Sequence, residues 1–157
     1  MRGISIRATA TGEWELVVGL LEQTGLDASD VDLVRTTLHI AVAAKVITGC
    51  AGAERHGDTA VVAPVAVLPE YREQGIASHL VQAAFMRARA DGCRLAVVLS
   101  TFCASFFCRH GFSLTPRSAL PNEVRGSAYQ KHDRQAPVCM TCDLTKSSHT
   151  WVPPSSH

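Results

Sequence analysis

Apolar and polar residues alternate along ISIRAT at positions 4–9, the period of two that marks a short strand. From 13 to 24 the period lengthens. Trp14, Val17, Val18, Leu20 and Leu21 fall on one side of a helix that Thr11 or Gly12 opens and Gly25 stops. DASDVDLVRTT, from position 27, reads as a second short helix. Positions 38–44 and 46–54 read as two strands around Lys45, a hairpin with a minimal turn. HGD at 56–58 is a turn signal, and TAVVAPVAVL at 59–68 is a long β-rich run. A short charged stretch then leads into a helix over 76–90, with Ala77, Leu80, Val81, Ala84 and Ala88 at helical spacing. RLAVVLST at 94–101 is almost wholly apolar, as a central strand buried on both faces must be. CASFFCRH at 103–110 reads as a short helix ended by Gly111, and FSLTP at 112–116 and APVCMTCDL at 136–144 as the last two strands. The segment 146–157 is rich in Ser and Pro and reads as a flexible tail.

Two strands joined through the helix at 76–90 imply a right-handed crossover and local parallel pairing, whereas hairpins dominate before it. The expected fold is α/β of the α+β kind: a mixed sheet with helices on both faces, in one domain over residues 1–145 with a tail over 146–157. Pro64 has no N–H to give to a ladder, so it signals a bulge or a strand parting from its neighbour.

Composition narrows the picture. The formal net charge is +1, from 15 basic and 14 acidic residues, so no broad basic surface suits nucleic acid. No apolar run approaches the roughly 18–20 residues that span a bilayer, and the first fifteen residues lack the apolar core of a signal peptide. The expectation is a cytoplasmic protein with neither nucleic-acid nor membrane partners. Six cysteines lie mostly inside apolar stretches and read as small buried hydrophobes. Cys139 and Cys142 form a C-x-x-C, but positions three apart on a strand point to opposite faces, so buried strand residues are expected and no metal site.

Residues 72–77, Arg-Glu-Gln-Gly-Ile-Ala, fit the pattern [QR]-x-x-G-x-[GA] between a strand and a helix. The first helical turn leaves about four N–H groups without internal partners, and their partial positive charge suits phosphate. Gly75 turns the backbone without steric penalty, Ala77 keeps the helix face small, and Arg72 can add charge. The simplest anion is a pyrophosphate. Taken alone, the same six residues also describe a surface strand-to-helix turn.

The run from Val65 to Ala77, with Phe106-Phe107-Cys108-Arg109-His110-Gly111-Phe112 further on, resembles the GNAT N-acetyltransferase superfamily in order, spacing and residue type, over residues 2 to about 144. The resemblance implies a mostly antiparallel sheet with a central splayed parallel pair, acetyl-CoA as acetyl donor and no metal. It implies that Val65, Ala66 and Val67 line the pantetheine and thioester, with the Val67 N–H polarising the thioester carbonyl. The phosphates would rest on Arg72 and on the backbone of Glu73, Gln74, Gly75, Ile76, Ala77 and Ser78. Phe106 joins the cofactor-binding set.

The block L-x-T, Phe-Phe-x-x-x-Gly-Phe and Arg117-x-x-Leu-Pro-x-x-Val-Arg125, together with Gly52-Ala53-Glu54, resembles small GNAT enzymes that acetylate amino acids, including N-acetylglutamate-synthase-like enzymes and a group linked to arsenic-resistance operons. Glu54 is the candidate base, directly or through water, and also reads as a strand-end carboxylate facing solvent. Arg117 and Arg125 are candidates to clamp an acceptor carboxylate. His110 reads as a cover for the helix end and His79 as a surface residue. Three departures stand out: Phe107 replaces a Tyr that many members use as an acid, Ala63 stands where the subgroup carries Arg, and 126–135 looks longer than usual.

The expected activity is acetyl transfer from acetyl-CoA to the amino group of a small molecule, an amino acid or its analogue. A non-catalytic acyl-CoA-binding or regulatory module and a protein N-acetyltransferase are the competing readings. The small-molecule amine is the expected partner, with room for a homodimer.

Overall fold

The computed structural model describes residues 3–98, 104–126 and 138–145. Seven strands form one sheet in the order β1-β2-β3-β4-β5-β7-β6: β1 Ile4–Ala8, β2 Thr36–Ala43, β3 Val46–His56, β4 Thr59–Val67, β5 Leu95–Val98, β6 Ser113–Pro116 and β7 Val138–Asp143. Every neighbouring pair is antiparallel except β4–β5, which is parallel and crosses over through α2, Ile76–Ala90. The helices α1, Trp14–Gln23, and α3, Ala104–Cys108, complete the regular elements.

Period-two alternation divides the core. Ala41, Ala51 and Val67 pack with Ile76, Leu80, Val81 and Ala84 of α2 on one face. Their chain neighbours Ile40, Cys50 and Ala66 pack with Val17, Leu20 and Leu21 of α1 on the other. Further along that second face, Val61 and Val97 pack under Leu120 and Val124. Cys139 belongs to this group and Cys142 to the α2 side, so the two thiols face opposite ways, as their strand spacing requires.

The hairpin β2–β3 turns on Ala44 and Lys45, both left-handed with φ of 49° and 67°, the pair of angles a two-residue turn needs to follow the sheet twist. The helix expected from position 27 is not there. Ala28–Asp30 forms one 3-10 turn and β2 begins at Thr36. The Asp27 carboxylate caps this turn by accepting from the Ser29 N–H, and the Asp32 carboxylate accepts from the Val34 N–H in a second turn that leads into β2.

The Pro64 signal has a clear outcome. Ala53 pairs with Val62 and Ala51 with Val65, so two steps on β3 oppose three on β4. The extra residue is a β-bulge at the cis Ala63–Pro64 bond. Gly52 opposes it, and a Cβ there would come within 2.6 Å of the Ala63 carbonyl oxygen. No helix among the described residues is long and apolar enough to cross a membrane. The expected tail at 146–157, the L-x-T at 99–101 and most of 126–135 lie outside the described residues.

Candidate active site

Among the described residues, β4 and β5 pair only as far as Val61 and Val97, and β4 runs six residues further to Val67. The Leu68 N–H donates to the Thr48 carbonyl across β3. The register from Ala51–Val65 to Gly49–Val67 is unbroken, so alternation assigns Ala66 and Leu68 to the β3 ladder. Val65 and Val67 therefore turn their N–H and C=O groups the other way, into the gap that β5 leaves. Their side chains lie on the α2 side of the sheet.

The loop at the open end of this gap has an unusual backbone. Pro69–Tyr71 makes a 3-10 turn, Arg72 is extended, and Glu73 is left-handed with φ of 65°, rare for a residue bearing a Cβ. Gly75, φ 80°, is the N-cap of α2, and no side chain caps the helix. Two left-handed residues so close together turn successive N–H groups toward one concavity, which adds to the uncapped first turn of α2. Ser78 is buried in that turn. The strand gap, the concave loop and the open helix N-terminus fit an acyl pantetheine chain ending in a pyrophosphate.

Two side chains brace the loop. Arg72, expected to add its charge there, donates through Nε to the Val67 carbonyl oxygen at 2.9 Å and ties the loop back to the strand end. His79 was read as a surface residue. It is half-buried, with Nδ1 2.8 Å from the Gly75 carbonyl oxygen, so the ring braces the loop glycine.

On the face away from α2, Glu54 pairs in register with Val61, the last β4 residue joined to β5. The side chain is 2% exposed, so it does not face solvent as a strand-end carboxylate would. Its Oε1 lies 2.6 Å from Nε2 of His56, itself 6% exposed. Two residues apart on a strand is the spacing that places both on one face. The Thr36 hydroxyl, directly across β2 from Glu54, is buried with no hydrogen-bond partner among the described residues. The 3-10 turns Arg117–Ala119 and Asn122–Gly126 cover this region, with Val124 packed on Val61 and the Glu123 carboxylate against Gly57.

Arg117 is half-buried on this face, and its charge opposes the burial that pushes the Cys139 thiol up. The side chains of Arg125 and Phe106 lie outside the described residues. Phe107, where a tyrosine hydroxyl was missed in the sequence, is buried on the α2 side and meets Phe112 edge-on at 5.5 Å between ring centres. His110 is 3% exposed at the end of α3, and burial, then Arg109, holds its imidazole below the usual range. Among the described residues, no group of His, Cys, Asp or Glu gathers as metal ligands do.

His56 was not singled out in the sequence because HGD reads as a turn from position 56. The available signal was E-x-H at the end of a strand, which puts a carboxylate and an imidazole on one face.

A parallel pair that parts halfway, with an uncapped helix N-terminus at its open end, frames the site in this α/β fold. The chain belongs to the GNAT acetyltransferase family: the model of the acetyltransferase (GNAT) domain matches residues 35–114, just over half of it. No curated protein matches the chain. Among solved structures, N-acetylglutamate synthase from Neisseria gonorrhoeae, complexed with coenzyme A and N-acetyl-glutamate, superposes with a TM-score of 0.72 at 23% identity over 91% of this chain. This chain spans only 35% of that enzyme. PaiA N-acetyltransferase from Thermoplasma acidophilum, in complex with coenzyme A, gives 0.64 at 14% identity over 89% of this chain and 98% of its own. A GNAT family acetyltransferase from Elizabethkingia anophelis with acetyl-CoA bound gives 0.64 at 17% identity over 91% and 99%. The fold is the GNAT fold.

Proposed function

We propose that the protein transfers acetyl from acetyl-CoA to the α-amino group of a small carboxylate-bearing acceptor, an amino acid or a close analogue. The observation that carries the reading is the Glu54–His56 pair, buried beside the point where β4 and β5 part, on the face that also holds Arg117.

Acetyl-CoA supplies an activated thioester. The Val65 and Val67 N–H groups face the gap where it would lie, and the Val67 N–H donates to the thioester oxygen as negative charge develops there. Glu54 accepts a proton from the acceptor ammonium, directly or through water, and leaves a neutral amine to attack. His56 holds the Glu54 carboxylate in place through the 2.6 Å contact of its Nε2. Arg117 receives the acceptor carboxylate, and Arg125 is the second candidate. Glu73, Gln74, Gly75, Ile76, Ala77 and Ser78 present backbone to the pyrophosphate. Phe107 cannot protonate the leaving thiolate, so it departs as the anion or takes a proton from water. The likeness to an enzyme crystallised with N-acetyl-glutamate supports an amino-acid acceptor, as do the Gly52-Ala53-Glu54 and Arg117–Arg125 blocks.

The test is a thermal melt with and without acetyl-CoA, followed in the same sample by mass spectrometry over a panel of free amino acids. Ligand at about 100 times its Kd adds about 2.7 kcal/mol. A shift with an acetylated amino acid supports the reading. A shift with no product from any amine favours a binding module, and acetylated peptides without acetylated amino acids favour a protein acetyltransferase.

A further inference from the structure

At the far end of α2 from the cofactor loop lies a cavity of about 370 Å³ that the acetyl transfer does not use. From Ile76, at the loop, to Arg87, in the lining, the helix rises roughly 16 Å at about 1.5 Å per residue. Three arginines from three elements line it: Arg35 before β2, Arg55 near the end of β3 and Arg87 in the last turn of α2. Arg55 follows Glu54 on the strand, so alternation sends it to the opposite face from the catalytic candidate.

Each guanidinium is held by one edge. Arg55 Nε donates to the Gly57 carbonyl at 3.0 Å, and Arg87 Nε to the Asp91 carboxylate at 3.1 and 3.2 Å. Arg35 lies 3.5 Å from Asp32 through Nε and donates through a terminal nitrogen to the Arg55 carbonyl at 3.3 Å. No hydrogen bond among the described residues uses the terminal nitrogens of Arg55 or Arg87. The lining carries three cations, Arg35, Arg55 and Arg87, against one carboxylate, Asp91, with Asp32 beside Arg35 and Asp58 near Cys93 on its rim. The ring of His39 lies two residues along β2 from Thr37 in the lining, and burial, then Arg87, holds its imidazole below the usual range. The floor, Ala53, Ala60 and Ala88, is small and apolar.

Arginines held by Nε, with their terminal nitrogens open around a cavity of metabolite size, suit an oxyanion, which they can grip through two oxygens at once. We propose that this cavity binds a small multivalent oxyanion, a polycarboxylate or a phosphomonoester, at a site separate from the acetyl-CoA loop.

Isothermal titration of the full chain, saturated with coenzyme A, tests this with citrate in one series and inorganic phosphate in another. The expected result is saturable binding of at least one probe, weakened about tenfold or more in Arg55→Gln and in Arg87→Gln. Binding should be unchanged in the exposed Arg109→Gln. Citrate alone would assign the site to carboxylates, phosphate alone to phosphate esters. No binding of either probe overturns the proposal. So does binding that Arg55→Gln and Arg87→Gln leave as strong as Arg109→Gln does, because the anion would then sit elsewhere, the cofactor loop included. Thermal melts confirm that each variant is folded.

Discussion

The Glu54 carboxylate and the His56 imidazole meet at 2.6 Å on one face of β3, both closed off from water, opposite the last residues that join β4 to β5. If Glu54 is the base, Glu54→Gln should lower kcat by about 10²–10⁴ and leave the Kd for acetyl-CoA unchanged. His56→Gln, which keeps a hydrogen-bond donor, should lose less than Glu54→Gln and should shift the pH profile of kcat. Steady-state kinetics beside a direct binding titration decide it: an unaltered rate in Glu54→Gln removes the base from this residue.

Gly75 sits at φ 80° where the first turn of α2 opens. Gly75→Glu places a side chain and a like charge where phosphate would rest, in a conformation that costs a non-glycine residue about 1 kcal/mol or more. Acetyl-CoA should no longer raise the melting temperature of this variant, while its circular dichroism stays that of the parent. A preserved ligand shift would mean that the loop is only a turn.

Arg117→Ala should raise KM for an amino acid by about tenfold, the loss of one charge-assisted contact. It should barely affect the corresponding amine that lacks the carboxylate. Equal effects on both acceptors would assign Arg117 to the covering turn and not to acceptor recognition.

Burial pushes the Cys50 thiol up to about 12, whereas Cys108 is exposed. Only a thiolate is alkylated readily. Iodoacetamide at pH 8 should therefore label Cys108 within minutes and leave Cys50 unmodified until denaturant is added, as peptide mapping would show.

Arg7 grips Glu13 through two nitrogens, at 2.8 and 2.7 Å, between β1 and α1. That pairing, with the Ala10 N–H, lowers the Glu13 carboxyl from 4.5 to about 2. A depressed carboxyl contributes stability above its unfolded value and loses it as pH falls through the folded one. Glu13→Gln should melt below the parent at pH 7, and the difference should close between pH 4.5 and about 2. A gap that stays constant with pH would put the effect elsewhere.

Local signals were legible in the sequence. Ile76–Ala90 has the bounds its apolar spacing gives, and Pro64 marked the bulge because the missing N–H is a property of the residue alone. The helix read from position 27 stops after one 3-10 turn because Asp32 folds the chain into a second turn and the strand pairing with β3 begins at Thr36. Long-range facts were out of reach. That β7 inserts between β5 and β6, and that the turns at 117–126 seal Glu54, depend on pairings across many residues. The Arg72 contact with the Val67 carbonyl, though only five residues away, depends on how the turn between them folds, which residue types alone did not give.

The order β5-β7-β6 has a consequence for a chain made from its N-terminus. Residues up to Val98 encode the parting strands and the loop at 72–77, and they can begin to associate while the ribosome is still adding residues. β6 cannot. Among the described strands it touches only β7, which is translated some twenty residues later and must slide in between it and β5. A stop codon just before Val138 would leave β5 and β6 each without a neighbour on that side, two open edges ready to pair with other chains.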